Sequence, residues 1–184
     1  LVDSDVSEII MGQAPPGSSY NTSGQGTVFV KVGEFGKKRP NKLVWTTKPL
    51  RFAKETDVLI CVVGATVGKI NLGIDCAIGR SVSAIRPKEN ILQKFIFNYF
   101  IPIILKIRND QRGSGQGVIS KTYLENIDIP IPSLSEQEQI VSQIEHDFSL
   151  IENTAQIVNS TLQQLEIMKI SILKQAFEGK LVPQ

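Results

Sequence analysis

A glycine-rich stretch, VVGATVGKIN at residues 62–71, has the residue types of a phosphate-binding loop. Gly64 and the pair Gly68-Lys69 follow an apolar run, as they do in nucleotide-binding loops. The spacing differs from G-x-x-x-x-G-K-[ST], because three residues separate the glycines and Ile70 stands where a hydroxyl group would bind magnesium. The residues that follow are strand-like, whereas a phosphate loop needs a helix N-terminus. We therefore interpret this stretch as a turn in a β-rich region, which argues against a nucleotide-dependent enzyme.

Few residues have the chemistry of a catalytic or metal site. His146 is the one histidine, which argues against His-based triads and most metal sites. Cys61 and Cys76 lie in apolar, strand-like stretches, so we expect buried free thiols. The segment APPGS at 14–18 lacks the leading acid or amide and the aromatic residue of the D/N-P-P-Y/F motif of adenine methyltransferases. We expect no catalytic residue, no metal and no cofactor on this chain.

The charge of the chain is unevenly distributed, although its net value is only +2. Residues 1–132 contain 17 Lys and Arg against 11 Asp and Glu, a net charge of +6. Residues 133–184 contain 3 against 7, a net charge of −4. A basic body with an acidic appendage suggests that the body binds a polyanion, although an ordinary solvated surface also explains so modest a charge.

Cations in or beside presumed loops are the candidate contacts with such a polyanion. The loop at 112–121 ranks first, because its glycines allow close approach and, where the polyanion is DNA, its amide and guanidinium groups match adenine and guanine edges. The cluster after Gly36 ranks second, and the residues after Gly68 and Gly79 rank third. The candidates are Lys37, Lys38, Arg39, Lys69, Arg80, Arg112, Ser114, Gln116 and Lys121.

Each candidate also has a structural interpretation. The cluster at 37–39 can be a solvated turn, and the glycines of 113–117 can serve only to shape a turn. Lys69 and Arg80 can be counter-charges to Asp75 or Asp57.

The first 132 residues have the pattern of mixed, mainly β structure. Val- and Ile-rich segments alternate with glycine turns and predict strands. The segment 90–110 has helical spacing of its apolar residues, and we expect that helix to end or kink near Pro102. The predicted strands lie within residues 26–35, 57–64, 69–79 and 81–87.

The residues from 133 onward predict one long helix. Pro130 and Pro132 prevent it from reaching upstream, and Ser135 with Glu138 has capping-box spacing. No glycine or proline follows until Gly179, an interval that spans roughly 65 Å as a helix. We therefore predict an α+β fold with two domains, a mainly β domain at 1–132 and a long C-terminal coiled-coil helix at 133–184.

The apolar residues of this helix repeat with a period of 3.5, which is typical of a coiled-coil seam. Such a seam needs another helix to cover it. The alternative is a helix that folds back on its own domain, with a break near Asn153 or Asn159. The predicted pairing residues are Ile144, Phe148, Ile151, Ala155, Val158, Leu162, Leu165 and Ile172.

The chain resembles the specificity subunit of type I restriction–modification enzymes. The resemblance rests on ENIDIPIPSLSEQEQIVSQIE at 125–145, ISILKQAFEGKLVPQ at 170–184, SEIIMGQAPPGSSYN near the start and DVLICVVGATVGKINL at 57–72. Their order also matches and covers nearly the whole chain. The chain resembles one recognition domain plus one helix, which is half of a full subunit. This half length leaves two alternatives open, a natural half-subunit and an excised C-terminal half. Because the chain does not begin with Met, we expect a fragment or a processed form.

The resemblance implies a non-catalytic subunit that reads one half of an interrupted double-stranded DNA sequence. Two long helices pair antiparallel in that family, so a second copy or another half is an implied partner. The other implied partners are modification subunits, which methylate adenine with S-adenosylmethionine, and ATP-dependent restriction subunits. No apolar run has the length of a membrane span, so we expect a cytoplasmic protein. A coiled-coil interaction adaptor with an incidental basic face is the alternative.

Overall fold

The computed structural model of the chain describes residues 6–64, 66–111 and 117–181, the side chains of 105–111 excepted. The chain divides into two compact units, Leu1–Val141 and Ser142–Gln184. Strands and two helices precede a long helix that begins within the first unit, which confirms the predicted α+β class. The predicted domain boundary at 132/133 stays a prediction.

The first sheet of the first unit is antiparallel and has the strand order β1-β9-β6-β7. Its central strands are buried on both faces, which explains why the run DVLICV reads as continuously apolar rather than alternating. Within β6, Val58 and Ile60 join one buried cluster, whereas Leu59 points to the other. The strands are β1 Ser7–Met11, β6 Val58–Cys61, β7 Ile70–Leu72 and β9 Val82–Pro87.

The second sheet has the order β2-β4-β3-β8-β5, in which β3 and β8 are parallel and the other pairs antiparallel. Two predicted strands differ from the structure. The strand predicted at 26–35 ends at Val30, and Val32–Glu34 forms a 3-10 turn. The strands are β2 Tyr20–Asn21, β3 Thr27–Val30, β4 Trp45–Thr46, β5 Phe52–Ala53 and β8 Cys76–Ile78.

The strand predicted at 69–79 is two strands that belong to different sheets. It divides at Gly73, whose backbone lies so close to the carbonyl oxygens of Lys54 and Asp57 that a Cβ atom would collide with both. The chain therefore leaves the first sheet after β7 and enters the second at β8. Alternation of apolar and polar residues continues across this break, so periodicity did not reveal it.

Two buried clusters fill the first unit. One joins the first sheet to the helices α1 Gln93–Gln111 and α2 Lys121–Glu125 and to Val141, in the second turn of the long helix. The other lies between the two sheets and contains Cys76. Cys61 and Cys76 are buried free thiols, as predicted. Burial, with the charges of Asp57 and Asp75, raises the pKa of the Cys76 thiol to about 12.

Helix α1 confirms the helix predicted at 90–110. Of the expected end or kink near Pro102, the end is wrong and the kink stays a prediction. The helix continues through Pro102 to Gln111. Phe100 and Ile104 are buried on either side of the proline, whereas Pro102 itself is exposed. Burial of both residues offsets the local cost of an interior proline, which is about 3 kcal/mol.

The long helix α3 spans Leu134–Phe177 and has 44 residues, about 66 Å at about 1.5 Å per residue. Its capping box is Ser133 and Glu136, two positions before the predicted pair Ser135 and Glu138. The Glu136 carboxylate accepts hydrogen bonds from the Ser133 amide at 2.9 Å and hydroxyl at 2.6 Å. Both pairs have S-x-x-E spacing, so sequence alone did not distinguish them.

The C-terminal end of α3 is closed by Gly179, which has a φ of 70°. The amide of Gly179 donates to the Ala176 carbonyl at 3.2 Å, and the amide of Lys180 donates to the Gln175 carbonyl at 2.9 Å. This is the Schellman pattern that ends many helices.

The second unit is exposed along the helix, with Ile144 half-buried. The helix is continuous at Asn153 and Asn159, so the expected alternative of a break there is wrong. The other seven predicted pairing residues are exposed within this chain, and their role stays a prediction. Apolar residues outside the predicted seam are also exposed, namely Leu150, Ile157, Ile167, Met168, Ile170, Leu173 and Phe177.

Candidate nucleic-acid interface

Three loops meet at one end of the first sheet, as the strand register requires. Cys61 pairs with Val82, and Ile60 pairs with Ile70. Because both pairs are antiparallel, the glycine turn at 62–69 and the turn at 79–81 leave the sheet at the same end. The Val62 amide joins them directly by donating to the Ser81 carbonyl at 2.9 Å.

Backbone amides of the glycine turn donate hydrogen bonds to carbonyl groups of the same segment. Gly64 and Gly68 have φ values of 84° and 80°, in the left-handed region that favours glycine. The amides of Val67, Gly68 and Lys69 donate within the segment 61–69 at 3.0, 2.8 and 3.0 Å. These amides are therefore not available to bind phosphate. The interpretation of the glycine segment as a turn is confirmed for its described residues before Ile70, whereas Ile70 and Asn71 belong to β7. The exposed Lys69 side chain is what this turn presents to a ligand.

The third loop pairs with the glycine turn through the backbone. Gly64 donates to the Gly117 carbonyl at 3.0 Å, and Ile119 donates to the Val62 carbonyl at 2.8 Å. This pairing brings the start of α2, with Lys121, to the same end of the sheet. Lys121 is exposed and lies 3.4 Å from the Glu125 carboxylate. The predicted contacts Arg112, Ser114 and Gln116 lie outside the described residues.

The segment 36–38 lies along β7, the edge strand of the first sheet. The buried side chain of Asn71 accepts from the Gly36 amide at 3.0 Å and donates to the Gly36 carbonyl at 3.1 Å. The Leu72 amide donates to the Lys38 carbonyl at 2.9 Å. Asn71 thus fixes the basic segment, a role that sequence reasoning missed. The available signal was an amide between the two apolar residues of the strand INL.

The predicted cations have different surroundings. Lys37 and Lys38 are exposed, whereas Arg39 is half-buried. The Arg39 guanidinium hydrogen-bonds the Gly73 carbonyl and lies 3.5 Å from the Glu55 carboxylate, so it holds the end of β7. In the part of the chain that the structure describes, Lys69 and Arg80 are exposed and form no ion pair.

The counter-charge of Asp57 is Arg86, so the alternative that assigned this role to Lys69 or Arg80 is wrong. Asp57 is fully buried and accepts two hydrogen bonds of 2.9 Å from the Arg86 guanidinium. That hydrogen bonding raises the pKa of Arg86 above its ordinary value. Asp75 accepts from the Glu55 amide at 3.0 Å. Among the described residues, neither Lys69 nor Arg80 therefore serves as a counter-charge to Asp57 or Asp75.

Lys31 adds a cation that the sequence did not indicate. Its ammonium group lies 5.6 Å and 5.9 Å from the ring centroids of Tyr20 and Phe29, which are themselves stacked at 4.9 Å. A Cβ atom on Gly79 would lie 3.2 Å from the Lys31 side chain, so the turn that carries Arg80 passes directly over it. The Lys31 side chain therefore lies next to the turn that carries Arg80.

A pocket of about 300 Å³ lies between the end of the glycine turn, β7 and helix α1. Its lining includes Gly68, Lys69 and Asn71 together with the apolar residues Phe35 and Ile70. Helix α1 contributes Ile101 and Ile104. The described residues contain no group of three His, Cys, Asp or Glu side chains that could hold a metal ion. No described helix is long and apolar enough to cross a membrane.

Comparisons with known proteins agree with this architecture. The sequence model of the type I restriction modification DNA specificity domain matches residues 4–167. The chain is 37% identical over 177 residues to the putative type I restriction enzyme MjaX specificity subunit of Methanocaldococcus jannaschii. That alignment covers 95% of this chain and 40% of the relative. The EcoBI specificity subunit of Escherichia coli is 26% identical over 136 residues, 71% of this chain and 29% of that protein.

Solved structures of such subunits have the same fold. A chain from a study of complex assembly and conformational transition of the type I R-M system superposes with a TM-score of 0.83 at 32% identity, covering 97% of this chain and 45% of that one. The HsdS subunit from Thermoanaerobacter tengcongensis gives 0.77 at 32% identity, over 96% and 43%. The chain spans two fifths or less of the curated relatives cited here. It belongs to the family of type I restriction modification DNA specificity domains.

Proposed function

We propose that this chain is a DNA-recognition module of a type I restriction–modification system and reads one half of a bipartite target. The observation that carries the proposal is the basic loop end of the first sheet. Exposed Lys69 and Arg80 have no ion-pair partner among the described residues, and backbone pairing holds their turns together with the start of α2. Because no internal carboxylate neutralises these cations, their contact with phosphate should contribute the most to the free energy of binding.

The loop end suits the two tasks of a DNA reader. Lysines at the turns bind phosphates and set the position on the duplex. Arg80, on a turn rather than in the sheet, can offer its guanidinium fork to guanine O6 and N7. Arg112, Ser114 and Gln116 remain proposed base contacts. Arg39, a member of the cluster ranked second, is dropped from the proposed DNA contacts, because its guanidinium binds the Gly73 carbonyl and lies beside the Glu55 carboxylate.

We further infer that the chain is not itself catalytic. Its relatives are specificity subunits, and the described part of the chain brings together no metal-binding cluster. The methyl donor S-adenosylmethionine and ATP are expected only on partner subunits. The exposed seam of α3 is the proposed surface for a second copy or another half, because a helix this long and this apolar needs a covering helix.

The test is binding to a random duplex across a salt series, with the variant Lys38→Gln/Lys69→Gln/Arg80→Gln. The control is Lys88→Gln, because Lys88 follows Pro87 at the opposite end of β9. The slope of log affinity against log salt should become shallower by about 0.9 for each phosphate that the variant no longer neutralises, and the control should not change it. A response to salt that is flat for the unsubstituted chain would refute DNA binding.

The adaptor alternative is favoured by one observation, the many apolar residues exposed on α3. It differs from the proposal in one measurable outcome. An adaptor would form complexes through α3 with no dependence on Lys69 or Arg80 and no steep salt response with DNA. Methylation mapping after co-expression with modification subunits distinguishes the two, since a recognition module must define an interrupted methylated sequence.

A further inference from the structure

The pocket that Lys69 helps to line has mostly apolar walls, which contacts with phosphate do not require. Its apolar lining consists of Phe35, Ile70, Ile101 and Ile104. Lys69 also lines it, and that side chain is exposed. At about 300 Å³ the pocket lies at the lower end of the range for ligand sites, so it fits one small ring rather than a whole cofactor.

The polar groups of the lining, apart from the Lys69 ammonium, already form hydrogen bonds within the protein. Asn71 donates to the carbonyls of Gly36 and Ile70 and accepts from the Gly36 amide. The amides of Gly68 and Lys69 donate to Cys61 and Thr66. The pocket therefore offers an apolar surface and one ammonium group. An occupant that matches both is a flat, weakly polar ring with a negative charge beside it.

We propose that this pocket receives one extrahelical base of the bound DNA, with Lys69 on the adjoining phosphate. The inference rests on the proposed function. A nucleotide fits better than a peptide side chain because exposed Lys38, held to β7, adds a second cation to the same edge of the sheet. A base with phosphates on both sides complements that charge, and Phe35 supplies an aromatic ring to the lining for stacking.

The proposal makes a prediction that needs no knowledge of the target sequence. Extruding a base is least costly where the base is unpaired already. A duplex with one bulged thymidine should therefore bind about tenfold more tightly than the fully paired duplex of the same sequence, the size expected for a single stacked base. A 2-aminopurine placed at the bulge should change its fluorescence on binding.

The diagnostic variant is Ile101→Trp, which fills the pocket. Ile101 is half-buried and belongs to neither buried cluster, so the change leaves the core intact. We expect the variant to lose the preference for the bulge and to keep its affinity for paired duplex. Retained binding and an unchanged melting temperature show that it is folded. Ile101→Phe serves as a second, smaller filling should the tryptophan variant unfold.

The outcomes separate this proposal from the one it rests on. If no duplex binds, the proposed function itself is wrong. If paired duplex binds with a normal salt slope and the bulge gives no gain, the pocket takes no base. If Ile101→Trp keeps the bulge preference but weakens binding of a modification subunit, the pocket anchors a protein side chain and the proposal is overturned.

Discussion

The side-chain oxygen of Gln137 accepts a hydrogen bond from the backbone amide of Leu92, at 3.0 Å and across 45 residues of sequence. The same side chain donates to the carbonyls of Asn90 and Pro132, each at 3.0 Å. Gln137 is fully buried in the first turn of α3. One amide thus ties the start of the helix to the loop before α1 and to the chain that leads into α3.

Replacing this amide by an apolar side chain of similar size tests its contribution. Gln137→Leu leaves the Leu92 amide and two carbonyls without their partner, and we expect the free energy of unfolding of the first unit to fall by about 1–3 kcal/mol. Urea denaturation followed by circular dichroism measures the change. Gln139→Leu, an exposed position on the same turn, is the matched control and should change stability by less than about 0.5 kcal/mol.

Asn71 should control DNA affinity without touching DNA. Asn71→Ala removes both hydrogen bonds to Gly36 and releases the segment that presents Lys37 and Lys38. We expect weaker binding to duplex together with a loss of about 1–3 kcal/mol of stability. Fluorescence anisotropy and urea denaturation measure the two effects. Asn126→Ala, at an exposed position, is the control; equal effects from both variants would contradict the assignment.

The ion pair of Asp57 and Arg86 should matter far more than the surface pairs. Arg86→Met removes the two hydrogen bonds and the counter-charge that Arg86 gives the fully buried Asp57 carboxylate and leaves it only the Lys54 amide at 2.8 Å, which is expected to cost about 3–5 kcal/mol. Thermal and urea unfolding report the loss. Arg51→Met, at an exposed site, should be near neutral. A small effect at Arg86 would mean that Asp57 finds another donor.

The N-terminus of α3 should respond to acid. Hydrogen bonds from the hydroxyl and then the amide of Ser133 lower the pKa of Glu136 below its ordinary value. A lowered pKa in the folded chain stabilises the cap above the unfolded pKa, and this contribution is lost as pH falls through the folded pKa. Ser133→Ala removes the hydroxyl, the larger of the two causes, and should reduce the shift in an NMR titration of Glu136. Ser135→Ala should preserve the full shift, and an unchanged titration of Glu136 in Ser133→Ala would contradict the Ser133–Glu136 capping box.

The seam of α3 is tested by charge. Leu162→Glu with Leu165→Glu places two carboxylates on the predicted stripe and should produce monomers in light scattering, because a coiled-coil interface does not accommodate buried unpaired charge. Gln156→Glu with Gln163→Glu adds the same charge off the stripe and should leave the mass unchanged. An unaltered mass in the Leu variant would count against pairing through this seam.

Sequence reasoning succeeded where one pattern has one structural meaning. The 3.5-residue period identified the long helix, and the departure of GATVGK from phosphate-loop spacing identified a turn. It failed where local patterns are degenerate. The single strand predicted at 69–79 is two strands, because the chain changes sheets at Gly73. The capping box was assigned to the wrong pair, because Ser133 with Glu136 and Ser135 with Glu138 have the same spacing.

The sequence predicted which kinds of residue belong to the candidate site, but not which loops lie next to one another in the fold. Glycine turns with cations were visible in the sequence, since residue types alone identify them. Their grouping depends on long-range register, as in the pairing of Cys61 with Val82, which no local pattern encodes. Lys31 and Asn71 were missed for the same reason, because their roles arise from neighbours distant in sequence.

The pairing of Val63 with Val118 has a consequence for engineering. Two glycine-rich stretches more than fifty residues apart are joined by this backbone pairing. Replacing only one of them with the corresponding stretch of a relative is therefore expected to disturb the pairing. Chimaeras that exchange both stretches together should retain the fold.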